Sequence, residues 1–278
     1  MAHLTKYLRL LLMSLIASSF ISVVAAQGVT DDARQQALDL AQQIEDEYLV
    51  FDENWALNEI KQTTISPDKQ LRLMRSVITS AVAEGEQGVE EQMSTYRNAA
   101  HKTGSERDKN IAYFFDDFLS NQKNGDLNSS NGTLAKYFEH EDWFIRHRAL
   151  YFYGLYSPRA TSPSVALQYA QEAFDLIPEA NFDSVEAKYA REAKILSFTN
   201  LALLHNLLGH PELSMQITRE EMSLKKESAE PINGSAIIND LIFAFSVWRD
   251  HKTVELLTES LLRLEEKSGS QEPGLTEL

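Results

Sequence analysis

Apolar residues recur three and four positions apart along most of the chain, the spacing that lines one face of an α-helix. Over about residues 31–50 the apolar positions are Ala33, Ala37, Leu40, Ala41, Ile44 and Tyr48. A second face, Leu71, Met74, Val77, Ile78 and Ala81, follows Ser66-Pro67. There the serine hydroxyl can accept from free amides, and proline suits the first helical turn. A further helix is predicted over about residues 88–100. Ser105 and Asp108 have the spacing of a capping box, ahead of Ile111, Phe114, Phe115, Phe118 and Leu119. Residues 121–132, rich in Asn, Gly and Ser, read as a loop. A short helix is expected over about residues 133–138 and a longer one over 142–156.

In the second half, Ser162-Pro163 opens a helix to about Leu176, and a long one runs over 184–208 to Gly209-His210-Pro211. The next spans 212–228. Residues 235–249 place Ile237, Ile238, Leu241, Ile242, Phe245 and Trp248 on one face, and 253–266 use Val254, Leu257, Leu261 and Leu264. No run alternates with the period of two that a strand shows. The fold class this predicts is all-α, an array of antiparallel helix pairs. The polar tail, 267–278, is expected to be disordered.

The N-terminus breaks this pattern. Lys6 and Arg9 precede an unbroken apolar and small-residue run from Leu10 to Val24, closed by Ala25 and Ala26. A basic start, an apolar middle and small residues at the end make a signal peptide over residues 1–26, with the cut between Ala26 and Gln27. The run is shorter than the roughly 17–25 residues of a spanning helix. No later segment reaches spanning length, so the mature chain is expected to be soluble, with no membrane span after cleavage, and periplasmic or secreted.

Composition narrows the partners. The chain has 278 residues, 26 basic and 41 acidic, a net charge of -15, and no cysteine. Removing Lys6 and Arg9 with the leader leaves 24 basic against 41 acidic residues, or -17. Such a surface disfavours nucleic acid, which needs a basic patch. The lack of cysteine removes disulfides, thiol chemistry and cysteine-bound metal. It also suits a bacterial periplasm better than a eukaryotic exterior.

Part of the chain resembles the tetratricopeptide repeat, in which small residues let two helices approach and a proline ends the second. From His147, Leu150, Tyr153, Gly154, Ala166, Ala173 and Pro178 fall at matching places. From Ile195 the matches are Phe198, Leu201, Ala202, Gly209 and Ser214, with Glu221 where a small residue is expected. From Ser235 they are Ile238 and Leu241, with Ile242 departing. Pro158 interrupts the first unit, and the units start farther apart than the repeat's about 34 residues. The resemblance covers residues 141–266 and implies a tetratricopeptide-like α-solenoid. Residues 27–140 form an N-terminal helical region without the signature, which diverged repeats would also explain. More loosely, a leader followed by degenerate helical repeats resembles the periplasmic sensory region of membrane-tethered bacterial diguanylate cyclases. Their membrane helix and Gly-Gly-Asp-Glu-Phe output domain are not found in this chain.

Catalytic and metal signatures fail on spacing. Ser66-Pro-Asp-Lys69 and Lys102-Thr-Gly104 imitate penicillin-binding motifs. They lie close together, have no Ser-Asp-Asn between them, and belong to no readable sheet. The histidines form no pair with metal-ligand spacing; His140 and His147, beside Glu139, Glu141 and Asp142, are the densest cluster and read as a charged helix start. No catalytic residue, metal or cofactor is expected. Residues 143–153 interleave arginine with aromatics and read as core, with Phe144, Ala149 and Phe152 inside and the arginines outside.

The expected function is therefore non-enzymatic, an extracytoplasmic scaffold for a peptide or protein partner. The alternative is a sensory module related to signalling proteins. The resemblance places the partner on the inner positions of helix A, here Arg148, Tyr151, Thr199, Asn206, Asn239 and Ser246. N-terminal sequencing of the protein from a periplasmic fraction is expected to begin at Gln27; Met1 retained in a membrane pellet is the contrary result.

Overall fold

The computed structural model describes residues 29–47, 55–61, 65–84, 89–123, 133–156, 162–179 and 184–269. The leader with its cut before Gln27, the loop after Lys123 and residues 270–278 lie outside them. The described residues are helical and contain no strand. The helices are α1 (Asp31–Asp46), α2 (Trp55–Lys61), α3 (Pro67–Glu84), α4 (Val89–Thr103), α5 (Glu106–Lys123), α6 (Trp143–Tyr156), α7 (Pro163–Asp175), α8 (Val185–Leu207), α9 (Pro211–Glu227), α10 (Gly234–Val247) and α11 (His251–Gly269), with a 3-10 turn at Thr133–Tyr137. None of them is long and apolar enough to cross a membrane.

The caps sit where the sequence put them. Ser66 Oγ accepts from Lys69 N at 3.3 Å, and Ser162 Oγ from Val165 N at 3.4 Å ahead of Pro163. Ser105 and Asp108 close a reciprocal box: Asp108 N donates to Ser105 Oγ at 3.2 Å and Ser105 N to Asp108 Oδ2 at 3.0 Å. Gly209 ends the α8 turn at φ 81°, a conformation that costs a side-chain-bearing residue strain. Two differences stand out. The seven-residue α2 was not expected; it carries no fully buried residue, so its periodicity is weak. And α11 runs on through Gly269, into the segment expected to be disordered.

Neighbouring helices pack as adjacent pairs, α3 with α4, α4 with α5, α6 with α7 and α10 with α11, which makes the chain an all-α array of helix pairs. The α6–α7 pair is the most closely packed, and Gly154 and Ala166 are both buried in it. Small residues at such a crossing let two backbones approach.

The helices group into two compact units, one of Met1–Phe51 with Phe198–Leu278, the other of Asp52–Ser197. The boundary expected after residue 140 thus falls inside the second unit, and α1 belongs with the far end of the chain. In that unit Ala33, Ala37, Leu40, Ala41 and Ile44 of α1 are buried with Met215, Met222, Ile238, Leu241, Phe245, Leu257 and Leu264. In the other unit the core is aromatic, centred on Phe152, whose ring lies 4.4 Å from that of Phe118 and 6.2 Å from those of Phe114 and Phe115.

Polar contacts hold α1 in place. Arg34 Nε donates to Asp250 at 2.5 Å, Arg263 donates twice to Glu45 at 2.9 Å, and Lys226 pairs with Glu47 at 2.5 Å. Ser260 also donates to Glu45, and Arg219 to the Gln36 carbonyl at 3.1 Å. Hydrogen bonding from Arg263 holds Glu45 below its ordinary value against the opposing effect of burial. Lys226 and Gln43 do the same for Glu47. Carboxylates with depressed values stabilise the fold above their unfolded pKa, and that contribution is lost as pH falls through the folded pKa. Acidification below the ordinary carboxylate range is therefore expected to loosen α1. Glu45→Gln is expected to lower stability by about 1–2 kcal/mol at neutral pH and to flatten the acid limb of a denaturation-versus-pH curve. An unchanged acid limb would count against the clamp.

Candidate functional site

Arg148 occupies the centre of α6 and is fully buried. Its guanidinium donates to Glu192 of α8, and at 3.3 Å to Thr79 Oγ1 of α3. Glu192 also takes Arg75 Nη2 at 2.8 Å and Nε at 3.1 Å. Arg75 Nη1 reaches Asp108 Oδ1 at 2.8 Å, and Tyr189 OH donates to the same oxygen at 3.0 Å. Burial acts to raise Glu192, but Arg75 and Arg148 outweigh it and hold the carboxylate low. Arg75 is held well above the ordinary arginine value: burial works to lower it, and the Glu192 charge prevails. The result is a closed set of two cations and two anions, drawn from α3, α5, α6 and α8.

Rings separate the cations. Arg107 lies 5.7 Å from the Trp143 ring centroid and 4.9 Å from that of Tyr189. Arg75 lies 5.1 Å from Tyr189 and 5.9 Å from Phe144, and Arg148 lies 4.9 Å from Phe144. These are cation–π distances, so Trp143, Arg107, Tyr189, Arg75, Phe144 and Arg148 form one alternating ladder. Its half-buried outer end is tied by Arg107 to Asp142 at 2.6 Å and Glu186 at 2.7 Å. His147, one residue from Arg148, is fully buried and pushed down to about 3 by desolvation and then by Arg148. It is neutral and shares a 2.9 Å hydrogen bond with Ser197 Oγ. The network has the chemistry of a packing element: its charges pair with one another, while burial, with Arg75 adding to it, holds Arg148 below the ordinary arginine value and leaves its Nε without an acceptor among the described residues.

This corrects part of the expected site. Arg148 and Tyr151 were expected on an open inner face, and the arginines of 143–153 outside; Arg148 is 0% and Tyr151 6% exposed. The face that the repeat pattern left open on α6 is covered by Thr79 and Glu192. Asn206 is buried as well, whereas Thr199, Asn239 and Ser246 are exposed. Phe144, Ala149 and Phe152 are buried as expected. Of the histidine pair, His140 Nδ1 accepts from Asp142 N at 3.0 Å. Among the described residues no group of three or more His, Asp or Glu is placed to hold a metal.

The accessible chemistry lies on α10. Its buried face is Ile238, Leu241, Ala244 and Phe245, and its exposed side carries Ala236, Asn239, Asp240 and Ser246, with Phe243 half-buried among them. Asn239 Nδ2 donates to Ser235 O at 2.9 Å and Ser246 Oγ to Ile242 O at 2.7 Å, which orients each side chain and leaves its oxygen able to accept. Asp240 is the one charged residue in the helix and has no hydrogen-bond or ion-pair partner among the described residues. Although it is exposed, its surroundings still desolvate it, and with the charge of Glu221 they push it up to about 7. Glu221 of α9 is buried and paired with Lys225 at 2.6 Å. Asp240 was passed over in the sequence; a lone charge in an apolar helix was the signal. Separately, an open groove of about 690 Å³ runs between α1 and α9, lined by Gln36, Glu212, Leu213, Gln216, Arg219, Glu220 and Ser223.

Comparison with protein-family models, with curated proteins and with solved structures finds no match to this chain.

The two sets of residues should separate on mutation. Arg148→Ala takes from buried Glu192 one of its two cations, leaving Arg75, and opens a cavity in the core; it is expected to cost about 3–5 kcal/mol, seen as a large fall in melting temperature. Asn239→Ala with Ser246→Ala is expected to stay within about 0.5 kcal/mol of the parent for each change. A melting temperature unmoved by Arg148→Ala would show that the network does not hold the unit.

Proposed function

We propose that this chain is a non-enzymatic binding protein of tetratricopeptide-like kind, acting outside the cytoplasm and holding a peptide or protein partner along α10. One observation carries the reading: a helix apolar on its packed face presents Asn239, Asp240, Phe243 and Ser246 in a row to solvent. Helical arrays bind extended segments along one helix of each pair. Seven residues of helix span about 10 Å, close to three residues of extended chain. Asn239 and Ser246 thus sit one short peptide apart, and oriented amide and hydroxyl oxygens suit a peptide backbone. Thr199 of α8 is a further exposed polar position in the same unit. The acidic surface disfavours nucleic acid as the partner.

A photo-crosslinking residue placed at Ser246 tests this in the exporting cell. A discrete adduct is expected from Ser246, and none from the same residue placed at exposed Glu172 on α7. Equal labelling at both places, or none at Ser246, would overturn the reading.

A further inference from the structure

Three helices that end in the first unit do so through the same turn. After α8, α9 and α10 one residue has a positive φ: Gly209 at 81°, Ala229 at 51° and Arg249 at 58°. The next amide donates five residues back, His210 N to His205 O at 2.9 Å, Glu230 N to Lys225 O at 2.9 Å and Asp250 N to Phe245 O at 3.0 Å. This is the Schellman turn, in which the two residues joined by that bond commonly carry apolar side chains in contact. The pair is Lys225 and Glu230 after α9, and Phe245 and Asp250 after α10. After α8 it is two histidines. Their imidazoles lie with ring centres 5.9 Å apart and planes at 63°. Metal–nitrogen bonds of about 2.0–2.1 Å put the centres of two imidazoles that share an ion roughly 4.5–6 Å apart, according to the angle between the bonds. We propose that His205 and His210 form a two-histidine site for a divalent late-transition-metal cation, with copper(II) held tightest.

The site goes beyond the peptide-binding reading and does not depend on it. His205 Nδ1 is buried and has no hydrogen-bond partner among the described residues, and the His210 side chain makes no capping bond to α9. Packing thus leaves both rings without a structural partner, and a buried ring nitrogen in that condition is costly. Desolvation, and then His210, hold His205 below its ordinary value, so at neutral pH it is in the uncharged form that binds metal. His205 is half-buried and His210 exposed, which leaves the pair open to an ion from solvent. Imidazole suits copper, nickel and zinc, and copper(II) leads the order of divalent affinities. No third His, Asp or Glu is placed with the pair among the described residues, so water would complete the coordination. The net charge of -15 favours the approach of a cation. Five residues apart, the two histidines would lie on different sides of an unbroken helix; the reversal at Gly209 brings them together.

Titration of the full mature protein, carrying no tag, with copper(II) tests this, read by calorimetry and electron paramagnetic resonance. One equivalent is expected to bind, with hyperfine structure from two imidazole nitrogens. His210→Ala changes an exposed position and is expected to keep the fold, which circular dichroism checks. It should weaken copper by about 10–100-fold, since even the outer-shell partner of a ligand is worth that much. His101→Ala and His251→Ala, at other exposed histidines, are expected to leave the affinity unchanged. Three results would each overturn the site: no stoichiometric binding by the parent, undiminished binding by His210→Ala, or an equal loss in either control, the mark of an adventitious ion only.

Discussion

Arg75 and Arg148 can occupy the interior of the second unit only because Glu192 and Asp108 meet them there. A buried guanidinium without a partner would cost several kcal/mol, and a buried pair tolerates little misplacement. The four groups come from four helices, so each pair fixes how one helix lies on another. Phe144 and Tyr189 fill the spaces between the cations and turn the pairs into a ladder from the half-buried Trp143 inward. The aromatic core around Phe152 supplies the bulk of the apolar burial, which is non-directional. The charges supply direction.

The first unit is held differently. Among its described residues there is no comparable buried network of paired charges, and its defining contact is non-local: α1 returns to the three C-terminal helices. Alanines at 33, 37 and 41 make α1 thin on its buried face, which suits close approach, while Arg34, Glu45 and Glu47 fasten it along its length. Its core joins α1 to residues far along the chain, and at its edge Thr30 donates to Glu212, 182 positions away, at 2.9 Å. α8 contributes to both units, giving Glu192 to the second and the residues from Phe198 onward to the first.

The two cores also decide which side chains are left over. Arg148, the most attractive ligand-binding residue by chemistry, is consumed by packing. On α10 the opposite holds: packing uses only one face, and the remaining side chains have no structural task beyond orienting themselves.

Local chemistry was legible in the sequence. Helix starts at Ser66, Ser105 and Ser162, the turn at Gly209 and the apolar faces of α1, α5 and α10 all depend on residues within about one turn of each other, so spacing alone determines them. Of the positions the repeat pattern picked out, Asn239 and Ser246 are exposed. The pattern failed at Arg148 and Tyr151, because whether an inner face stays open depends on which distant helix comes to cover it, and Thr79 and Glu192 are 69 and 44 residues away. The pairing of α1 with the C-terminal helices is a fact of the same kind. A helix's periodicity states that a face will be buried; only the tertiary structure decides against what, since that contact is made by residues whose separation along the chain carries no periodic signal.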